Sequence, residues 1–458
     1  MPQNYKKVIQ KLLYLFVFLL PWQMMWIFDE QFINGRKWQY GTGVIYITEL
    51  ILWLAAIICF FGIIKYHGLS GIKQKIVARS HNFKWNVKTV FIFSVWLLMV
   101  WSLISISWSG NHGVAFYVWF HLLEGILFLS LCLLTQAKIR KISWAVVGAG
   151  LIQAVLAIWQ FANQEVVANK FFGLASHRPE LAMDIVVENF FGRWLRAYGG
   201  LAHPNILGGF LVGVMLIILF LYFTGGRQTI NDWLKRIFLA VSLVIVEIGL
   251  FFSFSRSAWL SAIIGLIAFV LFLILNKSVD TNWPIKKDRK FFYDLTRIIF
   301  YLVFTGIILL FIYQPLLSSR VASGGRLEQR SNEERILYTQ QAGQIISSHW
   351  LLGTGLGNYT YELSQSYPQN NGWELQPVHN IFILILSELG LVGLLAFLGV
   401  LATSMVLAIK RNRLFLGLAL MLVIVGFFDH YLWTQYFGLI WWWLVLVYLT
   451  NSDSHNFS

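Results

Sequence analysis

Two arginines and one histidine hold most of the chemical interest in this chain. Arg256 lies in Phe252-Ser253-Phe254-Ser255-Arg256-Ser257-Ala258-Trp259, with apolar sequence on both sides. A charge enclosed in this way is costly in a membrane and usually faces a cavity or a partner; the other reading is an interfacial arginine whose head snorkels to the surface. Arg335 follows Glu333 and Glu334 where a helix is expected to open, and a helix N-terminus does not favour a cation. Phosphate held between Arg335 and free backbone N–H groups would supply the missing partner; a solvated surface charge is the plain alternative. His379, in Pro377-Val378-His379-Asn380, titrates near neutrality and is of the commonest general-base type, although a histidine at such a boundary is often merely interfacial.

A second tier surrounds these three. Asn380 and, about two turns on, Glu388 are placed to orient His379. Arg326 and Arg330, four apart, would widen the basic surface beside Arg335. His203-Pro204-Asn205 has a sufficient structural role as a helix start, and a substrate-facing His203 or Asn205 is the functional alternative. Glu49, Glu124 (with His121) and Glu247 are acids within apolar runs, a feature of proton relays. No metal-ligand spacing such as H-E-x-x-H and no phosphate loop G-x-x-x-x-G-K occurs in the sequence, so neither a metal nor a nucleotide cofactor is expected.

The elements that must position these residues follow from composition. The 458 residues are 58% hydrophobic and 12% charged, too apolar for a soluble domain and too uncharged for disorder. An all-α, polytopic integral membrane protein is expected, a single membrane domain over 1–458. Helices of about 20 apolar residues cross the hydrocarbon, and twelve such runs stand at roughly 11–28, 43–64, 89–108, 113–134, 142–161, 205–223, 237–254, 257–275, 298–314, 380–409, 414–428 and 431–449. The first reads as a retained helix kinked at Pro21, since no signal-peptidase site follows it. Cys59 and Cys132 sit inside apolar runs and form no redox or metal pair.

Charge orients the chain. With the N-terminus cytoplasmic and the sides alternating, 24 of the 35 Lys and Arg fall on the cytoplasmic side, as the positive-inside rule requires; both termini are then cytoplasmic. The net charge of +14 needs no nucleic acid to explain it. Nine of the eleven external basic residues are arginine, only Lys37 and Lys170 being lysine, and arginine grips phosphate through a planar fork. Two external segments are long, 162–204 and 315–379, and long loops are commonly functional. The second carries an amphipathic helix. Ser331 and Glu334 match a capping box, Tyr338, Ala342, Ile345 and His349 follow at helical spacing, and Gly353, Gly355 and Gly357 end it.

Four motifs in order resemble the superfamily of O-antigen ligases and O-antigen polymerases of bacterial envelopes. They are Gly200-Leu201-Ala202-His203-Pro204-Asn205; Phe254-Ser255-Arg256-Ser257-Ala258-Trp259; Arg335 with Trp350 and Gly353-Thr354-Gly355-Leu356-Gly357-Asn358-Tyr359; and Val378-His379-Asn380 with Ser387-Glu388-Leu389-Gly390-Leu391-Val392-Gly393. The resemblance covers about 195–400 closely and the whole chain by span count. It implies a metal-independent, inverting glycosyltransferase in the bacterial cytoplasmic membrane. Such an enzyme moves a glycan from an undecaprenyl-diphosphate carrier to a hydroxyl of a glycan or glycolipid acceptor, on the outer face. Arg256 and Arg335 would bind the diphosphate, and His379 would be the general base. The short polar tail Asn451 to Ser458 argues against the protein-glycosylating subtype, which often carries a C-terminal domain.

A secondary transporter of a small anion such as bicarbonate is the competing expectation, motivated by the span count and the buried acids. Such folds show two related halves, and no internal symmetry is evident here. A non-enzymatic assembly scaffold has no sequence feature in its favour.

Overall fold

In the computed structural model the described residues are 1–80, 85–181, 184–190, 192–275, 287–321, 326–411 and 413–451. The polar tail beyond Asn451, residues 322–325 of the longer external segment and residues 182, 183 and 191 of the shorter one lie outside them.

Helices dominate, as the composition demands. α1 (Gln3–Leu19), α2 (Ile47–Ser80), α3 (Val87–Ser105), α4 (His112–Thr135), α5 (Ile139–Asn163) and α6 (Pro204–Thr224) are followed by α7 (Ile230–Phe252), α8 (Arg256–Leu275) and α9 (Arg289–Ile312). The helices of the 315–379 segment, α10 (Gln314–Val321), α11 (Arg326–His349) and α12 (Tyr359–Ser366), come next, then α13 (Ile381–Arg411), α14 (Leu416–Phe428), α15 (Tyr431–Thr434) and α16 (Tyr436–Thr450). Polar caps open several of them: Asn86 accepts from the Thr89 N–H, Asn111 from that of Val114, and Thr229 with Asp232 forms a reciprocal capping box. Three two-stranded antiparallel sheets sit between helices: β1 (Met25–Asp29) with β4 (Gly43–Tyr46), β2 (Phe32–Ile33) with β3 (Arg36–Lys37), and β5 (Val186–Asn189) with β6 (Gly192–Leu195).

Each of the twelve expected spans coincides with a helix, but among the described residues only eight helices are both long and apolar enough to cross a membrane. α1 has 17 residues, and α14 and α16 are short. α7 opens on the polar turn Asn231-Asp232 and carries Lys235 and Arg236. The first span is also corrected at its end. α1 stops at Leu19, Pro21 sits in the following turn rather than at a kink, and residues 25–29 leave as strand β1. Proline cannot donate to the ladder, so the chain turns there.

α6 is the axis of the bundle: its membrane window is buried throughout, whereas only 17% of that of α9 is. α9 therefore faces lipid. α5, α7, α8 and α14 pack around α6. α13 is broken at Gly390, whose φ is +65°. The carbonyls freed by the break are taken up by the glycine loop after α11 and by α3. The Thr354 N–H donates to Ser387 O at 2.9 Å, the Gly355 N–H to Glu388 O at 2.8 Å, and the Trp101 indole to Leu389 O at 2.8 Å. Two glycines make this possible. A Cβ on Gly390 would lie 2.1 Å from the Leu351 carbonyl oxygen, and one on Gly353 would lie 2.3 Å from the backbone of Glu388. The third and fourth sequence motifs are thus two sides of one joint, which fixes α11 over the start of α13.

α11 begins earlier than the capping box indicated. Ser331 and Glu334 lie inside it, Glu334 pairing with Arg330 at 2.9 Å. Arg335 is consequently mid-helix, where backbone N–H groups are already used, and the expected phosphate site on free N–H groups beside it does not exist.

Candidate active site

One end of α6 opens into a cavity of about 820 Å³ lined by Arg256, Arg335, His379, His203 and Asn205 among others. Five elements deliver its walls. The α7–α8 turn brings Arg256, α11 brings Arg335 and Tyr338, and the entry to α13 brings His379. The start of α6 brings His203 and Asn205, and the α14–α15 link brings Asp429 and His430.

The α7–α8 turn is strained. Phe254 is fully buried with φ +46°, a region that non-glycine residues seldom occupy. Its carbonyl accepts from Arg320 Nε at 3.1 Å, one contact that holds the conformation. Arg256 then starts α8 with its guanidinium 3.1 Å from buried Glu328, and Arg320 pairs with the same carboxylate. One anion shared by two cations leaves net positive charge at the wall. Arg335 has no carboxylate within ion-pair distance among the described residues. It donates to Phe428 O at 3.2 Å, an end carbonyl of α14 where a cation is favoured. Burial pulls both Arg320 and Arg335 below the ordinary guanidinium value.

A polar chain runs behind the imidazoles. Arg196 is 3% exposed, and its Nε donates to Ser253 O at 2.7 Å and its Nη2 to Asn205 Oδ1 at 2.6 Å. Asn205 Nδ2 donates in turn to Asp429 Oδ2 at 2.9 Å, and the His430 N–H donates to Asp429 Oδ1 at 2.8 Å. Asp429 Oδ1 lies 3.8 Å from His379 Nδ1, ion-pair range but longer than a hydrogen bond. That Nδ1 is covered while the side chain as a whole is 27% exposed, so the imidazole turns its other edge to the cavity. Burial alone would raise the Asp429 carboxyl, but His379, His430 and His203 hold it well below the usual carboxylate range. His203 caps α6, its Nδ1 accepting from the Asn205 N–H at 3.0 Å. Burial, reinforced by Arg196, pushes it down to about 3, so it stays neutral. Tyr338 stacks 5.9 Å from His379 and is pushed up to about 12 by burial.

The remaining candidates lie elsewhere. Arg326 is exposed against Glu188, and Arg330 is exposed against Glu334; neither lines the cavity. Asn380 caps α13, accepting from the N–H groups of Phe382 and Ile383. Glu388 does not reach His379: it accepts from the Trp433 indole at 2.9 Å and lines an adjoining cavity of about 550 Å³ rich in Tyr and Trp. Glu49, His121 and Glu124 gather within 4.8 Å of one another, as do His379, Asp429 and His430. Either trio has the donor types for a divalent cation.

Arg196, Arg320, Glu328, Asp429 and His430 were not singled out from the sequence as parts of this site. Asp429-His430 carried a usable signal, a titratable pair in a very short link between two apolar runs. Arg196 and Arg320 were visible only as members of the arginine-rich external set.

A sequence profile of the O-antigen ligase family matches residues 239–398, a stretch that holds Arg256, Arg335 and His379. No protein of curated function matches the chain. The chain resembles the O-antigen ligase and polymerase superfamily, as its motifs indicate, and the match supports glycosyl transfer of that general type by a multi-pass membrane protein.

Proposed function

We propose that this protein transfers a glycan from an undecaprenyl-diphosphate carrier to a sugar hydroxyl, at the outer face of the bacterial cytoplasmic membrane, with both termini cytoplasmic. One observation carries the reading: Arg256, Arg335 and His379, far apart in sequence, line a single cavity at one end of the bundle. A polyprenyl carrier keeps its tail in the bilayer and its diphosphate at the boundary, where a site at a bundle end meets it.

Arg256 and Arg335 bind the diphosphate and stabilise the charge that grows on it as it leaves, the kind of contact whose loss costs roughly 3–4 kcal/mol. Their forks suit phosphate oxygens better than a point charge would. The acceptor oxygen attacks the anomeric carbon from the face opposite the diphosphate. As that bond forms, the carbon–oxygen bond to the diphosphate breaks and its electron pair departs with the lipid diphosphate. The hydroxyl proton passes to His379 Nε2, and Asp429 faces the resulting imidazolium. A single displacement inverts the anomeric centre. The aromatic cavity beside the site suits the acceptor, since sugar faces pack on Tyr and Trp rings.

The test is transfer by purified protein with a polyprenyl-diphosphate-linked glycan donor. His379→Ala is expected to lower turnover by about 10²–10⁴-fold, and EDTA to leave the wild-type rate unchanged. Wild-type turnover by His379→Ala removes the base assignment. Turnover lost to EDTA and restored by a divalent cation would instead make His379, Asp429 and His430 a metal site.

A further inference from the structure

The far end of α6 carries a second basic cluster that glycosyl transfer does not use. α6 is about 31 Å long at 1.5 Å per residue, and Asn205 in its first turn lines the active-site cavity while Tyr222 lies near the other end. Around Tyr222 stand Arg227, Arg236 and Arg297, all paired with the single carboxylate of Asp294. Arg236 is 8% exposed; its Nη1 donates to Tyr222 O at 2.8 Å, and its guanidinium lies 4.0 Å from the Tyr222 ring centre. Arg227 also reaches Asp288 at 3.4 Å. These arginines, with Lys290, Trp233 and Tyr293, line a pocket of about 290 Å³. Four cations face one carboxylate in that lining. A topogenic signal requires positive charge near the membrane but not its convergence on a pocket.

The pocket does not end in solvent. It shares Trp233, Arg236 and Arg297 with a groove of about 320 Å³ between α7 and α9, floored by Ile237, Ala240, Val241, Val244 and Ile245. Trp233, Ile237 and Val241 on α7 and Tyr293 on the membrane-crossing α9 are all exposed. Tyr and Trp at that level mark the membrane–water interface. A basic basin opening into an apolar slot of this kind has the shape and charge of an anionic lipid: phosphate on the guanidinium groups, acyl chain along α7 and α9.

We propose that the α7–α9 groove is a binding site for an anionic phospholipid of the leaflet opposite the active site, with Arg227, Lys290 and Arg297 holding the headgroup phosphate and Ile237 and Val241 the chain. Lys290 and Arg297 are exposed, so replacing them spares the core.

The experiment is native mass spectrometry of the delipidated full-length protein titrated with phosphatidylglycerol, phosphatidylcholine or inorganic phosphate. One phosphatidylglycerol is expected to remain bound at least tenfold more tightly than phosphatidylcholine. Lys290→Gln with Arg297→Gln is expected to weaken it about twenty-fivefold, about fivefold per charge lost and compounded. Val241→Trp, which fills the groove, is expected to weaken the lipid and leave the weak binding of phosphate unchanged. Equal binding of the two lipids, an unchanged affinity in the double variant, or displacement of the lipid by millimolar phosphate would each overturn the proposal.

Discussion

The two ends of α6 present the same charge chemistry with different surroundings. At one end Arg196, Arg256, Arg320 and Arg335 gather around Glu328 and Asp429; at the other Arg227, Arg236 and Arg297 gather on Asp294. Both have more guanidinium than carboxylate, and at both the proposed ligand is a phosphate. The first adds three imidazoles, a buried amide relay through Asn205 and room of about 820 Å³. The second, among its described lining residues, has no imidazole and about 290 Å³. On the two proposed readings, arginine clusters at membrane boundaries take anions, and it is the base and the space beside them that separate a reaction site from a resting place.

The largest expected effects break this comparison at the active-site end. Arg256→Ala and Arg335→Ala are each expected to lower turnover by about 10²–10³-fold, while Lys290→Gln at the other end leaves it within about twofold, as distant surface changes do. Equal losses at both ends in a transfer assay would erase the distinction. Arg256→Lys and Arg335→Lys sharpen it: a lysine keeps the charge but not the fork, and each is expected to recover less than about a tenth of the wild-type rate.

Asp429→Asn tests the relay rather than the grip. In the proposed mechanism Asp429 acts through His379, so a fall in kcat of about tenfold with little change in KM is expected, in line with the loss of an orienting partner; a rise in KM alone would move Asp429 into donor binding. The smallest effect is on stability. His203 is pushed down to about 3 in the folded protein against about 6.5 unfolded. The unfolded chain then binds the extra proton between those values, so stability falls as pH drops from about 6.5 toward 3 and is flat above. His203→Asn keeps a capping acceptor without the titration, and the slope of melting temperature against pH in detergent is expected to flatten.

Much of this was legible in the sequence, for physical reasons that also mark where legibility ends. Hydrophobic run length located every helix long and apolar enough to cross a membrane, because spanning lipid imposes it. It overran at residues 25–28, where an apolar strand reads like a helix tail. The Ser331–Glu334 pattern suits a capping box equally well as an internal turn, and only the earlier start of α11 decides. Arg256, Arg335 and His379 stood out because each breaks an apolar or polar pattern around it. Glu328 and Arg196 break no pattern; their roles arise when α11 and the segment after β6 meet the α7–α8 turn. Gly353 and Gly390 read as helix punctuation, and their pairing across the broken α13 is a tertiary fact.

The most direct test is a structure of the protein with a polyprenyl-diphosphate-linked sugar bound in a nanodisc. The two phosphates are expected between Arg256 and Arg335, with the anomeric carbon facing the exposed edge of His379. A diphosphate seated on Arg227 and Arg297 instead, or one in the cavity with its sugar turned away from His379, would contradict it.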